Sequence, residues 1–321
     1  MKRLLLILLV VGCTPSGADD FDGDGFLDSE DCDPSDPSIY PEAPDPCGDG
    51  IDQSCDGRDG DGGASFCEGD LALGLGTSCA TTSDGDTICW GAIGPQERPP
   101  EGPGTSLSVG SSQVCDLGTD GALRCWNVFG DDPSVADVPS GTWSAVSLGR
   151  DVGCVLDESG DAQCWGVLTG GAMAQRTGPF VSLATRKNGV CALDAAGEAT
   201  CWGASTFTPD GPFQALDAAR YQTCGLRPDG TAVCWTGDAP SADQPDGSWL
   251  SIGVGDTFGC GLRPDHTLAC WGFQGDGGLN APAGTFVRLA VGEQHACAVR
   301  DDARIVCWGN DLNGQSSPPS G

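Results

Sequence analysis

Lysine is almost missing from this sequence. Lys2 and Lys187 are the only two in 321 residues, and 15 basic residues face 46 acidic ones for a formal charge of −31. Such a chain does not hold nucleic acid through its backbone, because phosphate contacts need clustered Lys and Arg. Histidine is equally scarce, with His266 and His295 alone. Two imidazoles cannot complete seven four-ligand zinc sites, so the paired cysteines described below read as disulfides. The apolar run at residues 4–11 is eight residues long, too short to span a bilayer. No stretch carries a helical period. Nucleophile elbow, phosphate loop, HExxH and nucleotide fingerprint are all absent. A carboxylate enzyme stays open, since acidic residues abound, but nothing singles out a pair.

Cysteine, by contrast, is abundant: 19 residues, which implies an oxidising compartment. The N-terminus agrees. Met1-Lys2-Arg3 is basic, the apolar run follows, and then comes Val10-Val11-Gly12-Cys13. This resembles the bacterial lipobox, with Val10 where Leu is commoner. The resemblance implies a signal peptide over residues 1–12, cleavage before Cys13 and lipidation of Cys13, giving a lipid-anchored envelope protein whose only membrane contact is that anchor. Removing Cys13 leaves 18 cysteines, an even number to pair. Thr14, in place of an Asp, leans toward the outer membrane or cell surface. The other reading is an ordinary signal peptide with an unpaired Cys.

A linker at 13–18 leads to an acidic, cysteine-containing segment at 19–57. Counting Asp20 as the first position, Asp20, Asp22, Asp24, Asp28 and Asp31 stand at 1, 3, 5, 9 and 12, Gly25 at 6 and Phe26 at 7. That is the spacing of an EF-hand-type calcium loop, in which alternate residues of a tight turn point inward and position 7 gives a backbone carbonyl; Ca²⁺ takes about six to eight hard oxygens. Asp31 stands where a bidentate Glu is usual, and no amphipathic helices flank the loop. Further on, Asp31-Cys32-Asp33, Tyr40-Pro41-Glu42-Ala43-Pro44 and Cys47…Ile51-Asp52…Cys55-Asp56-Gly57 resemble the MopE-type metal-binding motif of bacterial surface proteins. That family carries a copper label. The segment has no His and no Trp, and copper wants nitrogen or sulfur donors. Structural calcium is the expected ion, and copper is not. A solvated acidic linker is the alternative. Cys32, Cys47, Cys55 and Cys67 allow three connectivities, which sequence cannot choose between. A Gly/Asp-rich linker at 58–69 ends the module.

Residues 70–321 repeat. Seven cysteine pairs, each ten positions apart, recur: Cys79/Cys89, Cys115/Cys125, Cys154/Cys164, Cys191/Cys201, Cys224/Cys234, Cys260/Cys270 and Cys297/Cys307. Trp follows every second Cys, and first cysteines step by 36, 39, 37, 33, 36 and 37. In Gln222–Trp235 two apolar runs flank Pro228-Asp229-Gly230, a three-residue hairpin loop with Gly left-handed. Centring on Asp229 puts Cys224 opposite Cys234, where a disulfide staples two strands. By strand alternation the Trp faces away from its own disulfide and packs against a neighbouring blade. His266 and Ala303 stand where the turn Gly belongs, which implies strain or another turn. The expected fold is all-β: a seven-bladed β-propeller with a small disulfide-rich, loop-dominated N-terminal module. An open solenoid is the rival, but it would need polar caps. The motif Cys-x-Leu-x-x-Asp-Gly-x-x-x-Cys-Trp-Gly resembles the regulator of chromosome condensation repeat, also found in a propeller-type β-lactamase inhibitor; the unit around Cys297 and Cys307 matches it most fully.

Specificity on such a scaffold is expected in the loops before each first Cys, which emerge around the central channel. They offer Ser112-Gln113, Arg150-Asp151, Arg186-Lys187-Asn188, Arg220-Tyr221, Asp256 with Phe258, and Glu293-Gln294-His295. Arg150, Arg186, Lys187, Arg220, Tyr221, Phe258 and His295 form the candidate partner-binding set. The sequence reads as a monomeric, non-catalytic scaffold for an extracellular protein or glycan. The alternative is a secreted lyase or hydrolase acting on polysaccharide. Nucleotide exchange on a small GTPase, as eukaryotic relatives perform, is a third reading, opposed by export and by the −31 charge.

Overall fold

The computed structural model describes residues 20–41, 43, 51–55, 70–82, 85–94, 104–128, 138–166, 175–242, 244–273 and 277–319. Cys13, Cys47 and Cys67 lie outside the described residues, as do the signal peptide and both linkers.

Among the described residues every regular element is a strand, and the strands form seven antiparallel sheets in chain order. Each sheet is one blade, written inner, middle, outer. Blade 1 is β1 (Leu71–Leu73), β2 (Thr77–Thr81) and β3 (Thr87–Gly91). Blade 2 is β4 (Gly104–Val109), β5 (Gln113–Gly118) and β6 (Leu123–Asn127). Blade 3 is β7 (Ala145–Leu148), β8 (Val152–Leu156) and β9 (Ala162–Gly166). Blade 4 is β10 (Phe180–Thr185), β11 (Gly189–Asp194) and β12 (Ala199–Gly203). Blade 5 is β13 (Ala215–Ala218), β14 (Gln222–Leu226) and β15 (Ala232–Thr236), with a short fourth strand β16 (Ala239–Pro240). Blade 6 is β17 (Ser251–Val254), β18 (Phe258–Leu262) and β19 (Leu268–Gly272). Blade 7 is β20 (Phe286–Val291), β21 (His295–Arg300) and β22 (Ile305–Gly309). Inner strands of successive blades pack side by side, and β1 meets β20, so the ring closes.

The hairpin pairs as its residues dictate. Cys224 faces Cys234 with Cα atoms 4.0 Å apart, and the two are disulfide-bonded. Arg227 N donates to Thr231 O and Gly230 N to Arg227 O, with Gly230 left-handed at φ 83°. Six further hairpins carry the same cross-strand bridge. His266 and Ala303 keep the same turn with φ of 62° and 63°, a backbone that costs an L-residue about 1–2 kcal/mol.

The core repeats around the ring. The disulfide of one blade and the Trp of the next fall in one apolar cluster: Cys154 and Cys164 with Trp202, Cys191 and Cys201 with Trp235, Cys224 and Cys234 with Trp271, Cys260 and Cys270 with Trp308. Cys79 and Cys89 meet Trp126, Cys115 and Cys125 meet Trp165, and Cys297 and Cys307 meet Trp90, which joins blade 7 to blade 1. Sulfur against an aromatic ring adds to the area buried. Trp202 and Trp235 are fully buried.

The seam between blades 7 and 1 has polar stitching as well. Ser78 Oγ and Trp90 Nε1 both donate to Gln315 O at 2.9 Å. With the Ser78 proton so committed, His295 Nε2 donates to Ser78 Oγ at 2.6 Å, which leaves Nδ1 as a buried acceptor without a partner.

Candidate functional site: the channel mouth and the acidic loop

The inner strands enclose a central channel with a cavity of 300 Å³. Its walls hold an equivalent position in every blade, the residue paired with the first Cys of the hairpin: Ala72, Ser108, Ser147, Ala184, Asp217, Gly253 and Ala290. Where that residue is polar it reaches the next blade. Ser108 Oγ accepts from Leu148 N, Ser147 Oγ from Thr185 N, and Asp217 Oδ2 from Val254 N at 2.6 Å. Asp217 is the single charge in this row, and burial pushes its carboxyl up to about 6 against the pull of two backbone N–H groups.

Above the channel the chain turns from inner to middle strand, and the second residues after the inner strands occupy equivalent positions in the seven blades. Around the ring these are Leu75, Ser111, Arg150, Lys187, Arg220, Asp256 and Glu293. The cations occupy three consecutive blades and the carboxylates the next two. All seven blades contribute to a narrow cavity of 40 Å³ at this mouth, with Arg150, Lys187, Arg220 and Glu293 in its lining. Glu293 ties the ring across its diameter: Oε1 accepts from Ser111 Oγ at 2.6 Å, and Oε2 lies 3.5 Å from Arg150 Nη1. Asp256 is pushed up to about 6, first by burial and then by the Glu293 charge, with Arg220 and Arg150 opposing. Arg220 stacks over Tyr221, whose ring is half exposed, at 4.7 Å.

The candidate set from the sequence therefore divides. Arg150, Lys187, Arg220 and Tyr221 sit at the mouth. Arg186 also lines the mouth cavity, with its guanidinium turned to a buried partner, whereas Phe258 and His295 do not offer their side chains there and are corrected. Phe258 and His295 begin middle strands buried on both faces, and they pack into seams between blades. Arg186 occupies the position that is Gly74, Gly110, Gly149, Gly255 or Gly292 in five other blades. Its buried guanidinium donates to Ser205 O at 3.1 Å, with Asp238 as counter-charge. Burial holds its pKa below the usual arginine value. Leu75, Ser111, Asp256 and Glu293 are the residues of this ring of positions absent from that set; counting two residues past each inner strand finds them.

In the acidic segment, Asp20, Asp22 and Asp24 converge, with ligand atoms within 4.8 Å of one another. The loop is shaped by its own carboxylates: Asp20 accepts from Gly23 N and Gly25 N, Asp24 from Phe26 N, and Asp28 from Phe21 N. Oδ2 of Asp22 and of Asp24 are left without partners. Loss of hydration, together with the Asp24, Asp31 and Asp20 charges, raises the Asp22 pKa. Three oxygens drawn together against their own repulsion fit a hard cation. Phe26 stacks on Tyr40 at 5.2 Å. Asp31 lies apart from the trio, beside Cys32 and Cys55. Those sulfurs are bonded to each other and so are not thiolate ligands.

Seven antiparallel sheets around a channel, stapled within blades and sealed by Trp between them, define a seven-bladed β-propeller. Residues 286–315 match the family model of the regulator of chromosome condensation (RCC1) repeat, and residues 31–61 match that of a MopE-type metal-binding motif. The chain is similar to the CRINKLY WD40 ectodomain of the Arabidopsis thaliana receptor kinase ACR4, with 24% identity and a TM-score of 0.63, covering 79% of this chain and 98% of that one. For the ectodomain of the Physcomitrella patens receptor kinase CR4 the values are 24% and 0.61, over 74% and 72%. For Saccharomyces cerevisiae Prp20p, described with its binding to Gsp1p and histones, they are 15% and 0.54, over 75% and 82%. No curated protein sequence matches.

Proposed function

We propose that this protein is a non-catalytic binding scaffold of the bacterial cell envelope, lipid-anchored through Cys13, which presents the channel mouth to an extracellular glycan or protein bearing acidic groups. The observation that carries the reading is the ring of equivalent positions, where one repeated backbone displays Leu75, Ser111, Arg150, Lys187, Arg220, Asp256 and Glu293. A uniform scaffold with divergent chemistry at one register is how recognition surfaces are built. In a chain of net charge −31, three cations in consecutive blades favour an anionic partner, with salt-sensitive attraction. Calcium held by Asp20, Asp22 and Asp24 would order the acidic segment as a stalk.

The test is retention of defined polymers on the immobilised protein: polygalacturonate, a sulfated glycan, an acidic polypeptide and a neutral galactan. Retention of an anionic polymer that weakens with salt and disappears in Lys187→Glu/Arg220→Glu is expected. Equal retention by that variant removes the mouth from the account. One observation favours a second reading: Asp217 and Asp256, both held near 6, lie in the range of a general acid. New reducing or unsaturated ends released from the polymers would favour it. For the stalk, calorimetric titration with Ca²⁺ is expected to show binding that Asp22→Ala/Asp24→Ala abolishes. Absence of heat in the parent protein reduces the segment to a solvated linker.

A further inference from the structure

Blades 2 and 5 carry the same residue, Gln113 and Gln222, two places before the first Cys of the hairpin, and use it differently. Gln222 Nε2 donates to Gly255 O at 3.3 Å and Phe258 O at 3.0 Å, so its amide plugs the seam to blade 6. The Trp271 indole N–H of that seam is left without a partner. In blade 2 the arrangement is reversed. Gln113 Oε1 accepts from Trp165 Nε1 of blade 3 at 3.4 Å. An indole nitrogen can only donate, so the amide must offer it oxygen. Nε2 of Gln113 is then a buried donor pair with no partner, on a residue 7% exposed. Beside it the seam opens into a cavity of 220 Å³, lined by Ser111, Gln113, Arg150, Asp151 and Trp165 together with Gly149 and Val152, the counterparts of the Gly255 and Phe258 that Gln222 engages.

The lining specifies a ligand. Arg150 and the Gln113 amide are donors, and Arg150 holds its Glu293 contact at 3.5 Å, the outer limit of a hydrogen bond. The buried Trp165 indole gives a small apolar edge, and Asp151 an exposed acceptor at the rim. Pockets for drug-sized ligands span roughly 300–1,000 Å³, so this cavity suits one ring. We propose that the seam between blades 2 and 3 is a subsite for a single uronic acid unit, with its carboxylate on Arg150 and Gln113 Nε2, its pyranose along Trp165 and a hydroxyl on Asp151. The proposal rests on the reading of the mouth as a surface for acidic groups, and it names the group bound at the rim.

The full chain, isotopically labelled, is titrated with galacturonate and with galactose at fixed ionic strength, following the Trp indole N–H resonances. Galacturonate is expected to shift the Trp165 resonance saturably, with galactose at least ten-fold weaker. Gln113→Leu and Arg150→Gln are each expected to weaken galacturonate at least ten-fold. Arg150 is at the surface, so its variant keeps the test decisive if Gln113→Leu does not fold. No saturable shift, equal response to galactose, or unchanged affinity in Arg150→Gln would each overturn the subsite. Lys187→Glu/Arg220→Glu separates the two readings. Monosaccharide binding kept within three-fold in that variant, beside unaltered polymer retention, leaves the subsite standing and the mouth reading fallen. Lost polymer retention with no Trp165 shift in the parent protein does the reverse.

Discussion

Acidification should loosen the ring at one identified point. His295 is fully buried, gives its Nε2 proton to Ser78, and keeps a bare Nδ1 in an apolar seam. Protonation would create a buried N–H with nothing to accept it, and burial accordingly depresses the pKa from 6.5 to about 4, with Asp311 opposing weakly. A lowered histidine pKa means that the unfolded chain binds the proton more readily, so stability falls as pH falls below 6.5. Using one pK unit as 1.36 kcal/mol, the loss is about 1.4 kcal/mol at pH 5.5 and about 3 kcal/mol at pH 4. Asp217 runs the other way. Its raised pKa means that the native state takes up the proton first, which adds roughly 2 kcal/mol between pH 7 and pH 4. Asp256, also pushed up to about 6, adds a gain of the same sign, so the parent profile by itself does not isolate the histidine. The informative quantity is the difference between the parent and His295→Gln, which keeps an N–H donor to Ser78 and removes the titration. Urea unfolding with disulfides intact, at pH 7, 5.5 and 4, should show the variant losing about 3 kcal/mol less than the parent across that range. Parallel profiles, within about 0.5 kcal/mol, would refute the neutral-histidine account of the seam.

Three further outcomes follow from the packing. Asp116 is fully buried on β5 and takes two hydrogen bonds from Arg124, at 2.7 and 2.9 Å; Arg124→Met should cost about 3–5 kcal/mol at pH 7 and clearly less at pH 4, where the carboxyl can take up a proton, and equal costs at both pH values would contradict this. Ala303→Gly should stabilise by about 0.5–1 kcal/mol, because relief of a left-handed φ outweighs the entropy of glycine; a lower unfolding midpoint would count against a strained turn. Trp235→Ala should cost about 3–5 kcal/mol and speed reduction of Cys191–Cys201, the bridge it packs against, while leaving Cys79–Cys89 unaffected; uniform reduction rates would break that link.

Much of this architecture is legible in the residues. The ten-residue spacing centres each hairpin and places cysteine opposite cysteine, and alternation sends the Trp to the other face. Which residues reach the mouth is less visible. Middle strands are buried on both faces, so no alternation of polarity marks where Phe258 or His295 leaves the loop and joins the sheet. Arg186 looks like a surface cation because charge usually is. Only superposition of the repeats reveals that it stands in a glycine position, against Gly189, whose missing side chain makes room for the guanidinium. The Gln113 cavity depends on which of two partners an amide selects, and that choice is made by the neighbouring blade.

Six of the seven seams are spanned by the chain itself, and the seventh, between blades 7 and 1, is held by non-covalent contacts: the apolar cluster around Trp90 and Cys297, the Glu293 N to Gly74 O bond, and the Ser78, His295 and Gln315 network. Asp70 stands at the entrance to this ring. Its carbonyl accepts from Thr81 N, and its carboxylate takes Leu107 N of blade 2 at 2.9 Å. Tension arriving along the polypeptide from the N-terminal side would therefore be passed to two blades at Asp70. If the ring is anchored as proposed, the load path would be shared by blades 1 and 2 and would not fall on blade 1 and its non-covalent joint alone, and Asp70 would act as its strain relief.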